Sequence, residues 1–274
     1  MRVILSRKGL DSGYGGQPSP ILPDGTLLSL PIPRENDPHQ FKTLTYNGKS
    51  YYDIIRELKP NTKIRQGDTC HLDPDLRANL PGRTPGWRGL FGQEKAAAGH
   101  LRNNKVDKGD IFLFFGWFKK AEIIDGCYRY KRDAPDLHVI FGYLEIGAIY
   151  RNAPALPAYA KYHPHARYFN GAHPNNIIYE AAEHLSLNKK LPGWGCLRYG
   201  KDVQLTKDGE PKSHWKLPDF FREVTITYHN KESFKKEGYF QSTNKGQEFV
   251  ISESPKITEW AENIIVGAGA PLTP

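Results

Sequence analysis

Apolar positions in this chain come in short runs cut by glycine, proline and charged residues, a pattern that predicts many strands and few helices. Val3-Ile4-Leu5 is followed by Arg7-Lys8, then by Gly9, Asp11, Ser12, Gly13, Gly15 and Gly16, and a second apolar run covers 26–30. This reads as strand, glycine-rich loop, strand. A nearly unbroken aromatic run over 111–118, a hairpin over 121–130 and a long apolar run over 137–150 predict further strands. Gly142 and Gly147 mark bulges or close backbone approach in the last of these. A short hairpin is expected over 191–199 and 202–205, an alternating strand at 224–228, and weaker strands at 239–243 and 248–252. Helices are expected at 51–58, capped by Ser50 with Asp53 in the first turn, at 93–103, at 176–185, and at 256–265 behind Pro255. Residues 34–46, 61–92 and 151–175 read as loops, and the tail 267–274 as frayed. No repeat or linker divides the chain, so it reads as one domain over 1–274, with a core over about 1–150 and a C-terminal extension over about 151–274 packed on it.

Composition narrows the class. A chain of 274 residues can bury a sizeable core, but only 38% of it is hydrophobic, and aromatics, at 12% of the chain, supply much of that. With 26 glycines and 21 prolines, a loop-rich, strand-rich α+β fold fits better than a helical bundle or a regular βαβ repeat. Cys70, Cys127 and Cys196 are widely spaced and form no CxxC pair, which argues against a thiolate zinc site and for a reducing, cytoplasmic setting. No apolar run reaches the length of a bilayer crossing, and the N-terminal run is too short for a signal peptide, so no membrane partner is expected. The net charge of +8 favours contact with a polyanion.

Four constellations could carry chemistry. In the opening loop, Arg7 offers a planar fork for phosphate or carboxylate, Lys8 a point charge, and Ser12 and Tyr14 hydroxyls. Asp11 is a candidate general base, or the acceptor of an Asx turn. His71-Leu72-Asp73-Pro74-Asp75 places three polar groups two residues apart, and in an extended segment these project to one face. An H-x-D pair is also half of a two-histidine, one-carboxylate facial triad, so His71 and Asp73 are candidate ligands of a divalent metal. His138, His163, His165 and His173 are the candidates for the missing histidine. Phe115, Trp117 and Tyr143 lie in aromatic strands that form either core or a stacking surface for a base. Finally, 159–168 interleaves cations with aromatics, so that His163, His165 and Arg167 could meet a nucleotide.

Two resemblances add to this reading. The segment from Ser6 to Gly25, S-R-K-G-x-D-S-x-x-G-G-x-P-S-P-I-x-P-D-G, followed by Ser29-Leu30-Pro31-Ile32-Pro33, resembles the nucleotide modification associated domain 3 family of bacteria and phages. Cys70 to Asp75 and Gly109 to Phe118 resemble it too. The resemblance implies a nucleotide or DNA as partner, and other proteins of a base-modification system as associates. The strand pair 109–118 and 138–147 is similar to the small barrels of the PUA and EVE type, which implies a PUA/EVE-like β-barrel core with a few peripheral helices. Two functions follow. The favoured one is an enzyme acting on a nucleobase or nucleotide in a polar–aromatic cleft, with Asp11, His71, Asp73 and Asp75 as catalytic candidates. The other is a non-catalytic reader of modified bases. The enzyme is favoured because polar clusters at three loop sites exceed what a reader's cage requires.

Overall fold

The computed structural model describes residues 1–80, 83–171 and 173–267, so the expected frayed tail lies outside the described residues except for Gly267. The architecture is mixed α+β. The main path of a nine-stranded sheet runs Glu248–Ile251, Val3–Arg7, Ile111–Ile124, Leu137–Tyr150, Ile177–Ala181, Leu90–Gln93. Ser19–Ile21 and Cys127–Tyr130 join the 111–124 strand, and Trp194–Cys196 joins the 137–150 strand. Val3–Arg7 runs parallel to Ile111–Ile124, with Arg7 opposite Phe115, while the 111–124 and 137–150 strands form a long antiparallel pair. The path has two free ends, so the sheet is open and the expected PUA/EVE-like barrel does not close.

The sheet is held by its aromatics. Phe112, Phe114, Phe115 and Phe118 are fully buried, and Phe91 meets Phe112 and Phe114 at centroid distances of 4.8 and 5.1 Å. Burying one such ring stabilises the fold by roughly 2–3 kcal/mol. The pairing register shifts at Ile140/Gly142 and again at Ile146/Ala148, the places where glycine marks a bulge. A Cβ on Gly142 would stand 2.5 Å from Leu76 Cδ1, and one on Gly147 would stand 2.6 Å from Ala182 Cα. Three α-helices flank the sheet among the described residues: Tyr51–Leu58, Lys95–Asn103 and Pro255–Gly267. Ser50 Oγ caps the first by accepting from Asp53 N at 3.0 Å.

The structure corrects four further sequence expectations. Residues 176–185 form no helix. Ile177–Ala181 is a strand paired with both 90–93 and 137–150, buried at every position, so no helical or alternating pattern marks it. The run 26–30 is not a regular strand: Thr26 and Leu27 make single bridges to Arg198 and Ile21. The strand after the glycine loop is instead Ser19–Ile21. The 191–199 and 202–205 segments do not pair with each other. Trp194–Cys196 lies along Gly142-Tyr143-Leu144 and Gln204 bridges Val139, because the long strand offers both a better partner. Of 224–228 only the bridge from Ile226 to Ile251 forms. Among the described residues no helix is long and apolar enough to cross a membrane.

His138 ties the core to pH. Its Nδ1 accepts from Trp215 Nε1 at 3.0 Å, and burial, reinforced by the charges of Lys212 and Arg7, pushes its pKa down to about 3. An unfolded histidine titrates near pH 6.5. Between these values the unfolded chain takes up a proton that the folded chain refuses, so the contribution is complete above about 6.5 and is lost as pH falls towards 3. Urea unfolding at pH 7 and pH 5 should show this loss. It should be smaller in His138→Asn, whose amide oxygen can still accept from Trp215. Equal losses in the two proteins would contradict the assignment.

Candidate functional site

The parallel pairing of Val3–Arg7 with Ile111–Ile124 ends where Lys8 N donates to Phe115 O at 2.8 Å, and the chain then leaves the sheet. Gly9 makes that exit with φ +82°, a conformation in which a Cβ would lie 2.9 Å from Ser29 Oγ. The loop that follows forms one wall of a cleft of about 720 Å³. His71, at the end of the Thr69–His71 strand, and Asp73 stand in the same cleft, together with His165, Gln93 and Glu94. The glycine loop and the histidine–aspartate string therefore share one cavity.

The cleft opens onto a buried array whose hydrogen bonds set its protonation. His71 Nδ1 lies 2.6 Å from Asp37 Oδ2. A carboxylate accepts, so Nδ1 carries the proton, and in the neutral ring Nε2 is the lone pair. Asn176 Nδ2 donates to His165 O at 2.9 Å, which turns its Oδ1 towards His165 Nδ1 at 2.8 Å. His165 Nδ1 must then be the protonated nitrogen, and its Nε2 is also bare. These two Nε2 atoms face each other at 3.2 Å. Burial pushes the pKa of His165 down to about 3, against the pull of Asp73. Asp73 Oδ2 stands 3.9 Å from His71 Nε2, while Oδ1 accepts from Gly92 N at 2.7 Å. His163 Nδ1 accepts from His165 N, so its Nε2 carries the proton and points towards Asp73 Oδ1 at 3.3 Å, off the line of a good hydrogen bond. Burial alone would raise the Asp73 carboxyl, but the close His163 N–H and the charge of Lys8 outweigh it and hold the group well below the ordinary carboxylate range.

Cations rim this array. Lys8 is nearly buried, paired with Glu248 Oε1 at 3.0 Å and set over the Phe91 ring; Gln93 Nε2 donates to the same oxygen at 2.5 Å. Arg7 donates to Asn244 O at 2.9 Å and to Gly246 O, bracing the loop that forms the opposite rim. Arg34 pairs with Glu94 at 2.8 Å, and Glu94 also accepts from His173.

The structure separates the sequence candidates. Arg7, Lys8, Asp11 and Tyr14 line the cleft, but Asp11 Oδ1 is committed to Gly13 N and Tyr14 N as an Asx turn, and Ser12 lies outside the lining. Asp75 does not converge with His71 and Asp73. Its backbone bridges Leu90 and its carboxylate pairs with Arg83, which turns the residue away from the cleft. Trp117 carries Lys212 Nζ 3.9 Å over its ring and does not line the cleft, while Tyr143 is fully buried with its hydroxyl on Pro192 O. These two aromatics are packing, so the cage expected of a reader lacks them. Arg167 pairs with Asp37 at 2.5 Å from behind the array. Of the candidate third histidines, His138 is core and His173 serves Glu94; His165 is the one that meets His71 and Asp73. Sequence reasoning missed Asp37, Gln93, Glu94 and Glu248. Asp37 lay in a loop with no motif, and the other three were read as ordinary helix-start and strand positions.

The family model of nucleotide modification associated domain 3 matches residues 2–252, and the chain belongs to that family. No curated protein and no solved structure matches it.

Asp37 has a fully buried side chain and three partners: His71, Arg167 and the Tyr168 hydroxyl at 3.2 Å. Asp37→Ala leaves buried groups unpaired and should cost about 3 kcal/mol of stability in urea unfolding, whereas Tyr168→Phe, which removes a single hydroxyl hydrogen bond, should cost about 1–2 kcal/mol. An Asp37→Ala protein as stable as the parent would show that this network is not formed.

Proposed function

We propose that this member of the nucleotide modification associated domain 3 family is an enzyme that modifies a nucleobase or nucleotide held in the cleft described above. The observation that carries the reading is convergence: an array of imidazoles and a carboxylate with preset protonation opens onto a cleft rimmed by cations. Its volume falls within the range of small-molecule sites.

The division of labour follows from charge. Arg7, Arg34 and Lys95 line the cleft and suit the phosphate of a nucleotide or of a DNA strand. Ala96 and Ala97, at the start of the Lys95–Asn103 helix, line it too. The residue before that helix, Glu94, makes no side-chain cap, and with Lys95 N spent on Pro174 O it is the Ala96 and Ala97 amides that add positive potential on the same side. Tyr14, 56% exposed at the rim, can stack on a base. Asp73, His71 and His165 supply the reacting end, where Lys8 offers a nearly buried charge to a developing anion. DNA contact agrees with the net charge of +8.

Nucleoside analysis by mass spectrometry, on DNA and nucleotide pools from cells expressing the chain or its Asp73→Ala variant, tests this. An altered nucleoside should appear with the parent chain and vanish with the variant. Identical nucleoside profiles in all cultures, with and without the chain, would count against an enzyme. In binding assays with a deoxynucleoside monophosphate, Arg7→Ala should weaken affinity by about tenfold, with the difference shrinking as salt rises.

A further inference from the structure

Three donor atoms, His71 Nε2, His165 Nε2 and Asp73 Oδ2, lie within 4.8 Å of one another. Each is the atom of its side chain that no described residue donates to. Each side chain is also gripped by its other polar atom: Asp37 holds His71 Nδ1, Asn176 holds His165 Nδ1, and Gly92 N holds Asp73 Oδ1. The three side chains line the cleft, whereas Asp37, Asn176, Gly92 and His163 do not. Gly92 is required for this arrangement, because a Cβ there would stand 2.2 Å from the His165 ring.

Two bare imidazole nitrogens 3.2 Å apart repel unless a positive centre lies between them. A shared proton would relieve that pair, but it would give no role to the third donor or to the grip behind it. A metal ion accounts for all three. With metal–nitrogen bonds of about 2.1 Å, a 3.2 Å separation corresponds to an angle of about 100°, close to tetrahedral or octahedral geometry. The carboxylate oxygen lies 3.9 Å from His71 Nε2, under about 1 Å beyond the separation of two donors that share such an ion.

We propose that His71, Asp73 and His165 bind one divalent first-row transition metal ion at the floor of the cleft, with its remaining coordination positions open towards the substrate. Two imidazoles select such an ion over magnesium or calcium, and three protein donors leave positions free, as in catalytic rather than structural sites. Asp37 and Asn176 are positioning residues: they fix which nitrogen each imidazole presents. The inference deepens the nucleotide reading of the same cleft, yet it is tested without any substrate.

The full chain is stripped with a chelator and titrated with Co²⁺ and Zn²⁺ by calorimetry and by the visible absorption of bound cobalt. One equivalent per chain is expected. His165→Ala and Asp73→Ala should lose at least a hundredfold in affinity. Asp37→Asn should lose ten- to a hundredfold with the cobalt spectrum altered, and exposed His184→Ala should bind as the parent does. Should an alanine variant fail to fold, paramagnetic shifts of the His71 and His165 ring protons in the cobalt-loaded parent answer the same question. No stoichiometric uptake by the folded parent, or uptake insensitive to the three ligands, overturns the proposal. Nucleotide binding by the stripped chain is measured in parallel, so that failure of the metal site and failure of the nucleotide reading give different results.

Discussion

A carboxylate with no exposed surface decides which nitrogen His71 presents to the cleft. Asp37 accepts from His71 Nδ1 and is braced by Arg167 and Tyr168, and moving that proton to Nε2 would set a nitrogen lone pair against the carboxylate oxygen. The Asn176 amide imposes the same choice on His165 from the other side. In their neutral forms the two rings are thereby held with their lone pairs facing. Isolated imidazoles in water would rotate or protonate out of that arrangement, and only a folded scaffold that buries both supports keeps it.

The sheet explains how these pieces meet. The polar loop, the histidine–aspartate string and the 163–165 histidines are far apart in sequence. The 3–7 strand delivers the loop beside Phe115, and the bridge between Asp75 and Leu90 draws the Asp73 turn onto the 90–93 strand. That strand pairs with 177–181, next to Asn176. His165 then packs flat on Gly92, the one position along that edge with no side chain to hold it off. Glu248, from a strand near the C-terminus of the described chain, completes the floor through Lys8 and Gln93. A site built from so many separated segments implies that its geometry is as stable as the sheet itself, not as the loops that decorate it.

Much of this was legible in the sequence where chemistry is local. The Ser50 cap, the 137–150 strand with its two glycines, and the helix behind Pro255 follow from residue types at fixed offsets. The opening loop and the His71–Asp73 string were also legible as site candidates, because both carry polar density that a core does not use. What sequence could not show depends on partners remote in the chain. Buried Ile177–Ala181 looks like a helix until its two neighbouring strands are present. Asp37 looks like one loop acid among many until His71 lies against it. Asp75 follows Asp73 by two residues, yet its pairing with Arg83 and Leu90 breaks the alternation that an ideal strand would keep. Trp117 and Tyr143 are aromatic for packing, and nothing in their local sequence distinguishes that from stacking on a base.

The claim on which the account turns is that both facing nitrogens are unprotonated. Long-range proton–nitrogen correlation spectra of the full chain at neutral pH report the tautomer of each imidazole directly. His71 and His165 should both appear as neutral rings protonated at Nδ1, and both Nε2 resonances should move together when zinc is added. A ring protonated at Nε2, or a doubly protonated imidazole at either position, would contradict the account.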